Sequence, residues 1–207
     1  MELILVRHGE TAWNREGRVQ GSSDIDLSDV GAHHARRLAL SLKDHPIRAI
    51  YASPLVRARK TAEIINRYHD APLHLEPGLM EMDQGDFEGL TYTELMARER
   101  DFLRSWIADP AFVRMPNGES LAELQARAWP VIDGILQRSA DALVVSHSLT
   151  IASILCKIKQ ISLSDFRSVH VDPASRTLVR FADGSSEIVV LNDRSHLNGR
   201  EESSPSA

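Results

Sequence analysis

Along this chain, short unbroken apolar runs alternate with longer stretches in which apolar residues recur every three or four positions. The runs at 3–6, 47–52, 72–75 and 142–145 have strand length, and consecutive apolar residues such as Leu3-Ile4-Leu5-Val6 fit a buried strand. Helical periodicity begins after Leu27-Ser28, where Ala32, Ala35, Leu38, Ala39 and Leu42 share a stripe and His33, His34, Arg36, Arg37 and Lys43 lie mostly off it. Ser53-Pro54 predicts another helix start, with serine as N-cap and proline at the first helical position. Helices are also expected over 92–108, over 120–139 behind the capping box Ser120-Leu121-Ala122-Glu123, and over 149–159. Residues 177–181 and 187–191, joined by Ala182-Asp183-Gly184-Ser185, read as a hairpin or edge pair. Strands interleaved with helices predict an α/β fold with a mostly parallel central sheet.

Three stretches stand outside this alternation. Residues 13–21 hold two glycines without helical period and predict a loop over the end of the first strand. Residues 89–118, bounded by turn signals that include Asp109-Pro110 and Pro116-Asn117-Gly118, predict a small helical cap. The charged, serine-rich end, 199–207, predicts a disordered tail, leaving 1–198 as a single domain.

Composition narrows the class. With 207 residues, 43% of them hydrophobic, the chain can bury a sizeable core as one domain. A net charge of −5 argues against a nucleic-acid or anionic-membrane surface, so basic residues that matter must be concentrated locally. The single cysteine, Cys156, excludes an internal disulfide and a cysteine-rich zinc site. Met1-Glu2 with four apolar residues before Arg7 makes neither a secretory signal nor a membrane span, and the expected compartment is cytoplasmic.

The local concentration of charge lies at strand ends. The first strand runs directly into Arg7-His8-Gly9, placing a histidine at the carboxyl edge of a parallel sheet, where α/β proteins bind ligands. There an imidazole can attack phosphorus, a guanidinium can hold phosphoryl oxygens in a planar fork, and glycine admits close backbone approach. Arg57 falls in the first turn of the helix after Ser53-Pro54, where N–H groups and the dipole already favour an anion. The run 142–145 repeats the opening architecture, ending in Ser146-His147-Ser148 before a helix. Glu81, flanked by Leu79, Met80 and Met82, is expected in an apolar setting that raises a carboxyl pKa and suits it to protonate a leaving group. Asn14 and Gln20 are expected to donate to an anion held at His8. Asp24-Ile25-Asp26 follows a Gly-Ser-Ser loop instead of a strand, and no HExxH is present, so metal motifs are weak.

These residues resemble the histidine phosphatase superfamily, in its phosphoglycerate mutase-like branch. The motifs are Arg7-His8-Gly9-Glu10-Thr11 with Trp13-Asn14 behind it, residues 53–62 around Arg57, Glu81 with Gly85, Glu88 and Gly89, and Val144-Val145-Ser146-His147. The resemblance covers residues 1–197. It implies a three-layer sandwich, with helices on both faces of the sheet, and a metal-independent phosphomonoesterase acting on a small phosphorylated metabolite through a phosphohistidine on His8. In that scheme Arg7, Arg57 and His147, with Asn14 and the backbone near Gln20 and Gly21, hold the phosphoryl oxygens, and Glu81 is the proton donor. One departure stands out: Ser148 occupies a position where glycine is common, and its side chain trims the substrate pocket. No cofactor and no metal are implied, and a homodimer is left open. Two other readings compete: a cofactor-dependent phosphoglycerate mutase, and a catalytically silent module that binds phosphorylated ligands.

Overall fold

Side chains alternate between the two faces of every strand, and here both faces are apolar. In the computed structural model, which describes residues 1–182 and 184–198, Leu3, Leu5, Ala142, Val144 and Val179 enter one core, while Ile4, Val6, Leu143, Val145 and Leu178 enter or pack against the other. A strand buried on both faces reads as a continuous apolar run, which is why 3–6 and 142–145 were legible as strands. Residues 199–207, expected to form a disordered tail, and Asp183 of the expected turn lie outside the described residues.

The sheet has six strands: β1 (Glu2–Arg7), β2 (Ala49–Ala52), β3 (Leu73–Leu75), β4 (Ala142–Ser146), β5 (Arg176–Ala182) and β6 (Ser185–Asp193), in the order β3-β2-β4-β1-β5-β6. The first four of that order run parallel, and β5 and β6 add an antiparallel edge hairpin. Helices α2 (Asp29–Leu42) and α3 (Val56–Asn66) cover one face, α6 (Leu121–Gln137) and α7 (Ser148–Ile158) the other, giving the expected three layers. Strands β1 and β4 are neighbours, with Arg7 opposite Ser146, yet β1 leads to α2 on one face and β4 to α7 on the other. Adjacent strands that send their chains to opposite faces open a crevice at their carboxyl ends. Residues 8 and 147, each the first beyond its strand, stand in that crevice.

Three local expectations change. Within 13–21 the chain forms a short helix, α1 (Ala12–Glu16), before turning. Its capping box pairs Thr11 with Asn14, an amide in the position usually held by Glu or Gln, so the sequence signal was unconventional. Leu55, not Ser53, is the N-cap of α3; the Ser53 hydroxyl accepts the Leu55 N–H at 3.3 Å within the preceding turn, and Asp24 Oδ1 accepts the Val56 N–H at 2.6 Å. The helix expected over 92–108 divides at Glu99 into α4 (Tyr92–Arg98) and α5 (Arg100–Ala108), which dock on the core separately through Leu95 and through Phe102, Leu103 and Trp106.

Glycine is required where α2 meets the loop after β1. A Cβ on Gly9 would lie 2.4 Å from the Gly31 carbonyl oxygen, and one on Gly31 would lie 2.0 Å from that of Glu10. The contact presses the N-terminal turn of α2 against the loop that carries His8. Among the described residues, no helix is long and apolar enough to cross a membrane.

Candidate active site

The two strand-end histidines meet in the crevice, with ring centroids 5.0 Å apart and planes tilted by 60°. His8 Nδ1 lies 2.7 Å from the Gly9 carbonyl oxygen, which can only accept, so Nδ1 carries the proton and Nε2 keeps its lone pair. His147 has the opposite tautomer: its Nδ1 accepts from Arg57 Nε at 3.2 Å, and the proton resides on Nε2. Both rings are nearly or fully buried, at 3% and 0% exposure. Burial first, and then Arg57 and Arg7, hold the His8 pKa well below 6.5; burial, His8 and Arg57 do the same for His147. Both imidazoles are therefore neutral near pH 7, one presenting a nucleophilic nitrogen and the other an N–H.

Arg57 reaches this pair from the first turn of α3 and is itself fully buried. Its Nη1 donates to Ser23 O and its Nη2 to Gly21 O, each at 2.7 Å. The Gln20 amide faces the same guanidinium, which can only donate, so its oxygen must point there; in that orientation it accepts from Nε at 2.8 Å and Nη1 at 3.2 Å, while its nitrogen donates to Thr11 Oγ1 at 2.7 Å. These contacts occupy four of the five N–H bonds and leave one on Nη2. Burial lowers the Arg57 pKa to about 10, with Glu81 and Asp24 opposing the shift, so the group stays charged at neutral pH. Gln20 and Gly21, expected to hold the anion, turn their oxygens to Arg57, because a buried guanidinium demands acceptors; these contacts do not engage the backbone N–H groups at 20 and 21.

Glu88 fixes the loop that supplies those acceptors. Its carboxylate accepts the N–H of Ser22 at 2.6 Å and of Ser23 at 2.7 Å, together with both hydroxyls. Burial disfavours its charge, yet the hydrogen bonds from Ser23 and Ser22 outweigh that and hold its pKa below the usual carboxylate value. A Cβ on Gly21 would come within 2.4 Å of that carboxylate, so the loop accepts only glycine there without moving. Sequence reasoning missed this clamp, whose one available signal was Glu88 between Gly85 and Gly89.

Glu81 is buried, as expected, but its setting is polar. His147 is the N-cap of α7 and makes no side-chain cap, so the first N–H groups of that helix need an acceptor from elsewhere. Glu81 supplies it: Oε2 accepts from Leu149 N at 3.1 Å, and Oε1 accepts from Thr150 N at 3.2 Å and Met82 N at 2.9 Å. The Thr150 hydroxyl, 3.1 Å from Oε1, is shared with Met80 O at 2.9 Å. The expected apolar surroundings are thus corrected: donors some 68 residues distant in sequence face the carboxylate.

Arg7 donates from Nη1 to Val171 O at 2.6 Å, while its Nε is buried without a partner among the described residues. His147 Nε2 is likewise buried and unpartnered. Asn14 is fixed by its capping box, its Oδ1 accepting Thr11 N–H at 3.1 Å, so only its NH2 remains to meet a ligand. Ser148 sits at the first position of α7, partly exposed, and its hydroxyl makes no hydrogen bond among the described residues. No group of three or more His, Cys, Asp or Glu side chains is placed to share a cation among those residues.

The family model for the histidine phosphatase superfamily, branch 1, matches residues 3–194. The chain belongs to that superfamily. It is 33% identical over 199 residues to phosphoserine phosphatase 1 of Hydrogenobacter thermophilus, covering 95% of this chain and 94% of that one. It is 34% identical over 160 residues to a probable phosphoglycerate mutase, GpmB, of Escherichia fergusonii, covering 76% and 74% of the two chains. Among solved structures, Bacillus stearothermophilus YhfR superposes with a TM-score of 0.88 at 30% identity, over 95% of this chain and 98% of that one. The chain is a phosphoric monoester hydrolase of the superfamily's type.

Proposed function

We propose that this hydrolase transfers the phosphoryl group of a small metabolite to His8 Nε2 and then to water, with no cofactor and no metal. The observation that carries the reading is the pair of buried donors without partners, Arg7 Nε and His147 Nε2, gathered with an unprotonated imidazole nitrogen at one sheet edge. A buried N–H left unpaired costs about 1–3 kcal/mol, so two beside a nucleophile mark the place of an anion. As His8 Nε2 forms its bond to phosphorus, the ester P–O bond breaks and its electron pair leaves on the alcohol oxygen. Glu81 gives that oxygen a proton, and the resulting carboxylate then takes one from the water that cleaves the phosphohistidine. Charge on the transferring group is met by Arg7, by His147 Nε2–H and by the remaining Nη2–H of Arg57.

Hydrolysis is favoured over mutase action because a mutase needs further cations for a second anionic group. Arg114 is engaged with Gly118 O and Glu123, and Arg18 with Gly89 O and Glu16. The silent-module reading gives no task to a nucleophile in the correct tautomer or to Glu81. The test is rapid quench with a phosphate-labelled substrate: wild type should carry acid-labile, base-stable label, and His8→Ala should carry none and turn over no substrate. His8→Ala activity above about 5% of wild type would rule out the covalent route.

A further inference from the structure

Glu81 lies in a segment, 80–84, with no helix or strand to hold it, yet proton transfer demands a placed carboxylate. Arg127, on α6, grips that segment from behind. Its Nη1 donates to Gly78 O at 3.0 Å and Met80 O at 2.9 Å, and its Nη2 to Glu81 O at 2.8 Å. The same guanidinium is bidentate to Glu119, Nε to Oε1 at 2.8 Å and Nη2 to Oε2 at 2.9 Å. Glu119 in turn grips the far side: its Oε2 accepts the Asp83 N–H at 3.0 Å, and its own N–H donates to Asp83 O at 2.9 Å. The backbone is therefore pinned at 78, 80, 81 and 83, on both sides of Glu81, by one ion pair.

The pair is suited to the task. Only a planar fork of donors reaches three carbonyls and a carboxylate at once. Both side chains are about a quarter exposed, at 27% and 22%, so the charges keep part of their hydration. Burial opposes the charge on Glu119, but Arg127 and the Asp83 amide outweigh it and hold its pKa below the usual carboxylate value. Glu119 also directly precedes the Ser120 cap of α6, which ties its position to the start of the helix that carries Arg127.

We infer that the Arg127–Glu119 pair is the positioning device for the proton donor, fixing the backbone around Glu81 so that its carboxylate is held at the N-terminus of α7 and presented to the leaving oxygen. Neither residue touches the substrate in this scheme. The inference rests on Glu81 being the acid, and its consequence is selective: leaving groups that need a proton depend on the pair, and those that do not are indifferent to it. A displacement of about 1 Å in a reacting group costs on the order of 10²-fold in rate.

The experiment compares kcat/KM for p-nitrophenyl phosphate, whose leaving group departs without a proton, with kcat/KM for an alkyl phosphate. The proteins are wild type, Glu119→Gln, Arg127→Lys and Glu81→Gln, each below its melting temperature. Because kcat/KM reports only steps through the first irreversible one, it isolates phosphohistidine formation. Glu119→Gln and Arg127→Lys should stay within about threefold of wild type on the nitrophenyl ester and lose about 10- to 100-fold on the alkyl ester. A uniform loss on both substrates, or no loss on either, would overturn the inference while leaving Glu81 as the acid, provided Glu81→Gln shows the selective pattern. If Glu81→Gln itself lacks that pattern, the assignment of the acid fails and the positioning role falls with it.

Discussion

Replacing Arg57 by lysine separates the two roles open to it, a proposed contact to the transferring group and a staple for the loop at 21–23. The guanidinium satisfies Ser23 O, Gly21 O, the Gln20 amide oxygen and His147 Nδ1 in a space with no solvent exposure. An ammonium of three donors on a differently shaped stem reaches some of these acceptors and strands at least two. At about 1–3 kcal/mol for each stranded buried group, partly relieved by loop adjustment, Arg57→Lys should lose about 2–4 kcal/mol of stability. For a chain of this size that is about 4–16 °C in melting temperature. The chemical loss is separate. Without the Nε–H, nothing compels His147 Nδ1 to accept, so its proton can shift there and Nε2 ceases to donate. Removing one donor of that kind costs about 10²–10³ in kcat. Steady-state kinetics on p-nitrophenyl phosphate, beside differential scanning fluorimetry, should show both losses. Gln20→Leu is the control: it removes an acceptor of Arg57 and leaves the His147 contact, so it should cost about 1 kcal/mol of stability and less than about tenfold in kcat. Arg57→Lys with lowered stability but kcat within about threefold of wild type would refute the argument, because tautomer control and anion contact would then contribute almost nothing.

Four further outcomes are expected. Because the folded pKa values of His8 and His147 lie well below 6.5, kcat/KM should show no loss attributable to either histidine as pH falls through 6.5; a descending limb centred at 6.5 that disappears in His147→Asn would contradict this. The same shifts destabilise the fold in acid: below pH 6.5 the unfolded chain binds protons that the folded rings refuse, so melting temperature should fall from about pH 6.5 downward, less steeply in His8→Ala, and an equal slope in that variant would be the negative result. EDTA should leave activity unchanged and vanadate should inhibit, since guanidinium and imidazole donors meet the phosphoryl charge; activity lost on chelation and restored by magnesium or zinc would replace this mechanism. With 3-phosphoglycerate and trace 2,3-bisphosphoglycerate, any phosphate released should exceed 2-phosphoglycerate formed, and isomerisation outrunning release would reverse the choice between hydrolase and mutase.

What the sequence disclosed and what it withheld divide along one physical line. Strand ends are local, so Arg7-His8-Gly9 after 3–6 and His147 after 142–145 could be placed at a sheet edge without knowing the strand order. The environment of Glu81 is not local. Leu79, Met80 and Met82 suggested an apolar pocket, whereas the donors come from Leu149, Thr150 and the Met82 amide, and no periodicity connects 81 with 149. The resemblance points to the backbone at Gln20 and Gly21 as a contact for the anion; that their oxygens also answer Arg57 is a demand visible only when α3 is folded against the loop. Arg127 gave no signal at all: it is one cation within an amphipathic helix, and its three carbonyl partners belong to another part of the chain.

These long-range contacts share a logic. Each joins a charged side chain to backbone groups of an irregular segment or of a helix's first turn: Arg57 to the carbonyls at 21 and 23, Glu88 to the amides at 22 and 23, Glu81 to the amides at 149 and 150, and Arg127 to the carbonyls at 78, 80 and 81. Backbone polar groups in such segments cannot pair within a helix or sheet, and burying them unpaired would cost more than the fold can bear. Ionised partners solve this with charge-assisted bonds, roughly twice as strong as neutral ones. Fixing the loops also buries His8 and His147 and sets Arg57 beside them, and burial first, with Arg57 adding to it, holds both rings neutral. On this account the protonation state of His8 depends on how tightly the surrounding loops are held over it, and variants that loosen those loops should alter the proposed chemistry without touching the substrate.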